Sequence, residues 1–330
     1  MPNAKYAVTA IGNAIVDVLA HAEDEFLRDQ KLVKGAMTLI DAPGAERLYG
    51  LMAPGVEASG GSAANTVAGL AALGGTAAFI GKVADDQLGK VFGHDIRAVG
   101  VDFDTKPLKK GATTARCLIF VTPDAQRTMQ TFLGACVELG PEDVDAKKVA
   151  DSQVVYLEGY LWDPPRAKEA FLKAAGIAKD AGRKVSLSLS DAFCVDRHRD
   201  EFRDLIEKHV DILFANENEI KSLYQVSDFD LALQRVRGNC EIAALTRSEK
   251  GSVVIRGDEI HVVDAEKVAK VVDTTGAGDA YAAGFLYGYT EGQDLRRCAR
   301  LGGILAAEII SHYGARAESD VKKLAAKAFA

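Results

Sequence analysis

The chain has 330 residues, and its 40 Lys+Arg against 47 Asp+Glu leave a formal net charge of −7. A hydrophobic share of 48% with 26% charged residues suits a folded chain with a sizeable core and excludes global disorder. The negative balance argues against a general nucleic-acid binder, and no run of about 18 uncharged apolar residues offers a membrane span.

In chain order, short apolar, β-branched runs bounded by Gly, Asp, Asn or charged residues predict strands. They lie at residues 7–11, 77–80, 117–121, 154–157, 185–189, 212–214, 242–245, 252–255 and 268–272. Apolar residues at three- and four-residue spacing predict helices between them, for example over 166–181 and 231–237. This alternation predicts an α/β fold of three layers, with a mainly parallel sheet covered by helices on both faces. Residues 13–41 and 103–134 break the rhythm with turn-like and strand-like composition. They read either as a discontinuous small β-rich subdomain or as two ordinary long surface connections. On the first reading, residues 1–12, 42–102 and 135–330 form the large domain. The Lys/Ala-rich tail from 315 to 330 reads as a solvated terminal helix.

Five cysteines, Cys117, Cys136, Cys194, Cys240 and Cys298, are far apart and odd in number, with no C-x-x-C pair. That pattern predicts reduced thiols and a cytoplasmic protein. The opening Met1-Pro2-Asn3-Ala4-Lys5 has no apolar signal core.

The most informative string is Asp273-Thr274-Thr275-Gly276-Ala277-Gly278-Asp279, after an apolar run and before an Ala-rich helical stretch. Gly276, Ala277 and Gly278 carry no bulky side chain, so their amides can approach a ligand closely at a helix start, where unpaired N–H groups and the dipole favour an anion. Asp279 follows in the first turn, placed to accept a proton from a hydroxyl attacking a phosphoryl group held there. The plain alternative is a glycine turn with a capping carboxylate. A Walker A loop is absent: five residues separate Gly75 from Gly81-Lys82, and Val83 stands where Ser or Thr is needed. A G-x-G-x-x-G string is absent here too.

A second cluster, Gly60-Gly61 with Asn65 a few residues on, reads as a turn into a small-residue helix, with Asn65 offering both donor and acceptor to vicinal hydroxyls. Gly12-Asn13-Ala14-Ile15-Val16-Asp17 follows the first strand, where an acidic residue can meet a sugar diol at a strand's carboxyl end.

Together these strings resemble the ribokinase-like (PfkB-type) family of carbohydrate and nucleoside kinases, and within it the sequence is most similar to adenosine kinases. A third family string, Asn-x-x-Glu, matches Asn216 to Glu219. The resemblance covers the chain from about Ala10 to Gly314 and implies a β-rich lid made from 13–41 and 103–134. It implies Asp279 as the catalytic base, Gly276, Ala277 and Gly278 as the anion hole, and Asn13, Asp17, Gly60, Gly61 and Asn65 on the acceptor, with Tyr160 (Trp162 second) stacking on its base. It further implies ATP contacts at Asn216, Thr246, Gly251, Gly303 and Ala307. Mg²⁺ would be organised by Asn216 and Glu219 through water, with K⁺ as a further cation near Asp273 and Thr275. Arg116 and Arg127 in the lid read as surface charges that could meet transferred phosphate. Where the family often has Thr-x-Gly before its Lys-Gly turn, this chain has Thr246-Arg247-Ser248.

The implied reaction is ATP-dependent phosphorylation of the 5′-hydroxyl of adenosine. A sugar kinase of the same family and a non-catalytic nucleoside-binding regulator are the alternatives. The implied partners are small molecules, with neither nucleic acid nor membrane, and the chain is a monomer or a homodimer through the lid.

Overall fold

Residues 152–158 show why the chain builds a covered sheet. Val154 and Tyr156 join one apolar cluster while Val155 and Leu157 join another, because successive strand side chains point to opposite faces. With both faces apolar, such a strand is stable only between two helix layers. The structure is a computed structural model that describes residues 4–124 and 126–329.

The chain begins with β1 (Tyr6–Ile11), β2 (Ile15–His21), α1 (Asp24–Asp29), β3 (Met37–Leu39), α2 (Ala42–Leu51) and β4 (Val56–Gly60). Next come α3 (Ser62–Leu73), β5 (Ala77–Ile80), α4 (Gln87–Ala98), β6 (Val101–Asp102), β7 (Ala115–Val121) and β8 (Arg127–Phe132). The middle holds α5 (Ala146–Ala150), β9 (Ser152–Glu158), α6 (Pro165–Asp180), β10 (Lys184–Ser188), α7 (Ala192–His209) and β11 (Ile212–Asn216). The chain continues through α8 (Glu217–Tyr224), α9 (Phe229–Val236), β12 (Ile242–Thr246), β13 (Ser252–Arg256) and β14 (Glu259–Val263), and ends with α10 (Ala277–Thr290), α11 (Leu295–Ile309) and α12 (Val321–Phe329).

Nine strands form one sheet in the order β14-β13-β12-β11-β10-β9-β1-β5-β6. All neighbours are parallel except the β12–β13 and β13–β14 pairs. Later strands extend to one side of β1 and β5 to the other, so the strand order reverses at β1, and the carboxyl ends there form the natural crevice for a ligand. Five strands form a second sheet, β3-β8-β7-β2-β4.

Three sequence expectations change. Residues 268–272 are not a strand: the sheet edge is taken by β14, which returns antiparallel on β13, and Val272 N donates to Ile310 O at 2.8 Å instead. Residues 42–60 do not go with the large sheet, because β4 pairs antiparallel with β2, setting Asp17 opposite Ala58. The terminal helix is not solvated all round. Val321, Ala325 and Ala328 fall on one face at helical spacing and are buried.

Among the described residues, no helix is long and apolar enough to cross a membrane. All five cysteines are free thiols.

Helices α10 and α11 pack closely because glycines face each other. A Cβ on Gly284 would lie 2.8 Å from Gly302 N and Leu301 O, both backbone atoms that cannot swing aside. Gly284→Ala should therefore destabilise the fold by about 1–3 kcal/mol, as overpacking does, read as a lower urea midpoint at unchanged m-value.

Candidate active site

The small residues of α3 and α10 let these helices touch: a Cβ on Gly69 would lie 2.9 Å from Ala283 Cβ. The amino ends of both helices then share one place, and Asp279 is held there. Its Oδ1 accepts from Ser62 Oγ at 2.6 Å and its Oδ2 from Asn65 Nδ2 at 3.2 Å. Asn65 is thus no simple cap, since its amide reaches across to the neighbouring helix. Ser62, which sequence reasoning missed, was marked only by its position directly after Gly61.

Gly276, Ala277 and Gly278 open α10. Gly276 has φ 79°, the left-handed region that favours glycine, and a Cβ there would also crowd Ala315 at 2.5 Å. Ala277 N donates to Thr274 O at 3.2 Å, closing the turn. The N–H groups of Gly278 and Asp279 meet no backbone acceptor among the described residues, so the open amides include Asp279's own while that of Ala277 is taken up.

Gly60 and Gly61 serve differently from expectation. A Cβ on Gly60 would strike the Asp17 carboxylate, and one on Gly61, at φ 99°, would strike the Asn13 carbonyl. These glycines let β2 and its preceding loop lie against the turn into α3. Asp17 itself accepts no hydrogen bond from the described residues and stays half-buried on β2.

Asn13 is held by a carboxylate the sequence reading passed over. Glu158 ends β9 beside β1, and its Oε1 accepts from Asn13 Nδ2 at 2.6 Å. Its Oε2 accepts from Asn13 N at 3.3 Å and Ala63 N at 2.8 Å. One buried carboxylate thereby ties the β1 loop to the start of α3 at the point where the strand order reverses. An acid closing an apolar strand run was the available signal. Tyr160, in the 3-10 turn Gly159–Trp162 that follows, is 37% exposed and its N donates to Ser190 Oγ at 3.1 Å. Trp162 is core instead: its Nε1 donates to Glu201 at 2.6 Å, and its ring packs 5.7 Å from Phe171 and 5.8 Å from Phe202.

Asn216 and Glu219 form a capping box at the start of α8. Asn216 Oδ1 accepts from Asn218 N and Glu219 N, both at 2.9 Å, while Glu219 accepts from Asn216 N at 2.8 Å and Nδ2 at 2.5 Å. Asn216 pairs in register with Thr246 on the next strand. Arg247 bonds Glu217 at 2.9 Å and lies 3.9 Å over the Phe229 ring. Gly251, at φ 80°, is required by the turn itself, since a Cβ would strike Val263 O. On α11, Gly303 faces open space, and Ala307 lines a pocket of about 350 Å³ with Val268, Ala269, Ile304, Ser311 and His312.

Two expectations about the lid fail. Arg127 is not a surface charge: its Nη1 pairs with Asp273 at 2.7 Å, both side chains being buried. Asp273 also accepts from Thr275 N at 3.0 Å and Gly314 N at 3.1 Å. With a guanidinium and two amides on it, that carboxylate is no ready ligand for K⁺. Arg116 is buried as well, 3.2 Å from Glu46.

Burial raises several carboxylates. Asp17 is pushed up to about 6, chiefly by burial, with Arg316 and Arg127 opposing and Asp279 adding. Asp279 is raised by burial against the hydrogen bonds of Ser62 and Asn65 and the charge of Arg316. Glu219 is raised to about 7 by burial, with the Asp191 charge adding after the opposing Asn216 amide. Glu158 is raised to about 7 by burial, partly offset by the Ala63 and Asn13 donors. Its ordinary value is 4.5, so its contribution to stability is full below that pH and is lost as pH rises through about 7. Glu158→Gln should flatten this part of the curve, because a flipped Asn13 amide can still pair with it; urea midpoints measured between pH 4 and 8 check this.

The chain is similar to several known proteins. Residues 47–322 match the pfkB family carbohydrate kinase profile. A probable sugar kinase from Rhizobium etli superposes with TM-score 0.91 at 55% identity, covering 99% of each chain. The adenosine kinase of Sinorhizobium meliloti superposes with TM-score 0.91 at 56% identity, over 98% of this chain and 100% of that one. An uncharacterised sugar kinase from Archaeoglobus fulgidus is 30% identical, over 75% of this chain and 96% of its own length. With more than half its length inside the family profile and a carboxylate set against open helix amides, the chain belongs to the pfkB family of carbohydrate kinases.

Proposed function

We propose that this kinase transfers the γ-phosphoryl group of ATP to the 5′-hydroxyl of a nucleoside, adenosine first. The observation that carries the proposal is Asp279, held by Ser62 and Asn65 beside the open amides at the head of α10. The 56% identity to the Sinorhizobium adenosine kinase supports the choice of acceptor.

In this reading, the acceptor's vicinal hydroxyls donate to Asp17, a half-buried carboxylate that accepts no hydrogen bond from the described residues. The primary hydroxyl then lies near Asp279, which takes its proton as the oxygen–phosphorus bond forms and the bond to the β-phosphate oxygen breaks. ADP and AMP leave. The amides of Gly276, Gly278 and Asp279 neutralise charge on the phosphates. In the same reading Tyr160, half-exposed in the turn after β9, would stack on the purine.

Among the described residues no three metal-ligating side chains converge. Glu219 nonetheless fits a hydrated divalent ion: it is a buried carboxylate at the head of α8 that accepts only from Asn216 among the described residues and keeps lone pairs free for bridging waters. Glu219, with Asn216, would hold a magnesium ion through water, and the ion would supply charge neutralisation on the nucleotide phosphates.

The Rhizobium and Archaeoglobus sugar kinases support a second reading, in which the same diol grip and base serve a sugar. A panel of nucleosides and sugars with ATP and magnesium, scored by ADP release, separates the two; binding without any ATP-dependent product would leave a regulator. Asp279→Asn should lower kcat by about 10²–10⁴-fold, with nucleoside affinity by calorimetry changed only a few-fold.

A further inference from the structure

The loop between α11 and α12 carries Arg316 back to the site. Arg316 Nη1 donates to Ala64 O at 3.1 Å, and Nη2 donates to Ser59 O at 2.7 Å and to Ser59 Oγ at 2.9 Å. Ser59 in turn donates from N and Oγ to Asp95 on α4, at 2.7 Å and 2.5 Å. One guanidinium thus bridges the end of β4 and the first turn of α3, the turn that presents Ser62 and Asn65 to Asp279. Its remaining Nε–H is buried and meets no acceptor among the described residues. Carbonyl oxygens alone would not require an arginine there. Leaving a buried N–H unpaired is costly, so the guanidinium's charge is what the position retains an arginine for.

We propose that Arg316 is a positioning residue of the phosphoryl-transfer site, clamping β4 to α3 and supplying the cationic centre shared by Asp17 and Asp279.

The charges around these two acids show why a shared cation matters. Asp279 on α10 is faced by Ser62 and Asn65 of α3, by Arg316, and by the field of Asp17 on β2, Glu158 and Tyr156 on β9, and Tyr160. Asp17 is faced by Arg316, by Arg127 of β8, by Asp279 and by the Cys117 thiol on β7. Arg127 is already bound to Asp273. Arg316 is therefore the cation whose charge acts on both acids, while it also lies in the field of Asp95 on α4, the strongest of the three acids on it. Both acids must be ionised to act, and an opposite charge nearby favours the ionised form.

The inference rests on the kinase reading above, and the pH dependence of kcat/KM tests it on the full chain. Arg316→Gln should move the acid limb of the wild-type profile upward by about one pH unit, with the loss in rate greatest at low pH. Arg316→Lys should keep the acid limb in place yet lower kcat, because an ammonium cannot bridge Ala64 O and Ser59 O as a planar fork does. An unmoved acid limb in a folded Arg316→Gln enzyme would overturn the proposal. If the Gln variant does not fold, the Lys variant decides alone: a displaced limb, or an undiminished kcat, overturns it. A wild-type enzyme with no ATP-dependent product would instead defeat the kinase reading, and the two failures are distinct.

Discussion

The site depends on how closely two helices can begin beside each other. Ser62 and Asn65 reach Asp279 only because α3 and α10 carry glycine and alanine where they cross, with Gly69 directly against Ala283. Larger side chains would hold the axes apart, and the hydrogen bonds to the carboxylate would lapse. Aspartate at the head of α10 is favoured by the dipole, but the neighbouring helix decides which way its oxygens point. The amides of Gly278 and Asp279 are left open by the same geometry, since the turn at Gly276 engages only Ala277.

Around that contact the chain gathers more negative charge than burial alone would tolerate. Asp17, Glu158 and Asp279 come from β2, β9 and α10, and all three are raised by burial. Donors and cations hold them in place. Glu158 takes three N–H groups, two from the loop after β1 and one from the start of α3, and the charges of Arg316 and Arg127 act on Asp17. Such a network is useful when each member is satisfied and costly when one is lost. Glu158 joins the loop after β1 to the first residues of α3.

The second sheet is tied to the large one by more than its hinges. Arg127 at the start of β8 is paired with Asp273, three residues before the glycine turn. This buried ion pair links the sheet that presents Asp17 to the loop that presents the open amides. Because both side chains are buried, the pair fixes the start of β8 against the loop that leads into α10.

Much of this was legible in the residues themselves. The alternation of short apolar runs with helical spacing predicted the layered sheet, because burial on both faces leaves its imprint on every strand. The Asp273–Asp279 string marked the glycine turn that opens α10, since glycine at a helix start is a local requirement of backbone conformation. Long-range pairing was not legible. Residues 268–272 read as a strand and residues 56–60 did not, yet it is 56–60 that pair with β2, while the sheet edge goes to the β13–β14 hairpin. Arg127 and Arg316 read as surface charges or not at all, because the carboxylates and carbonyls that bury them lie more than a hundred residues away in sequence. Local backbone chemistry is written in neighbouring residues, whereas the partner of a buried charge is chosen by the fold.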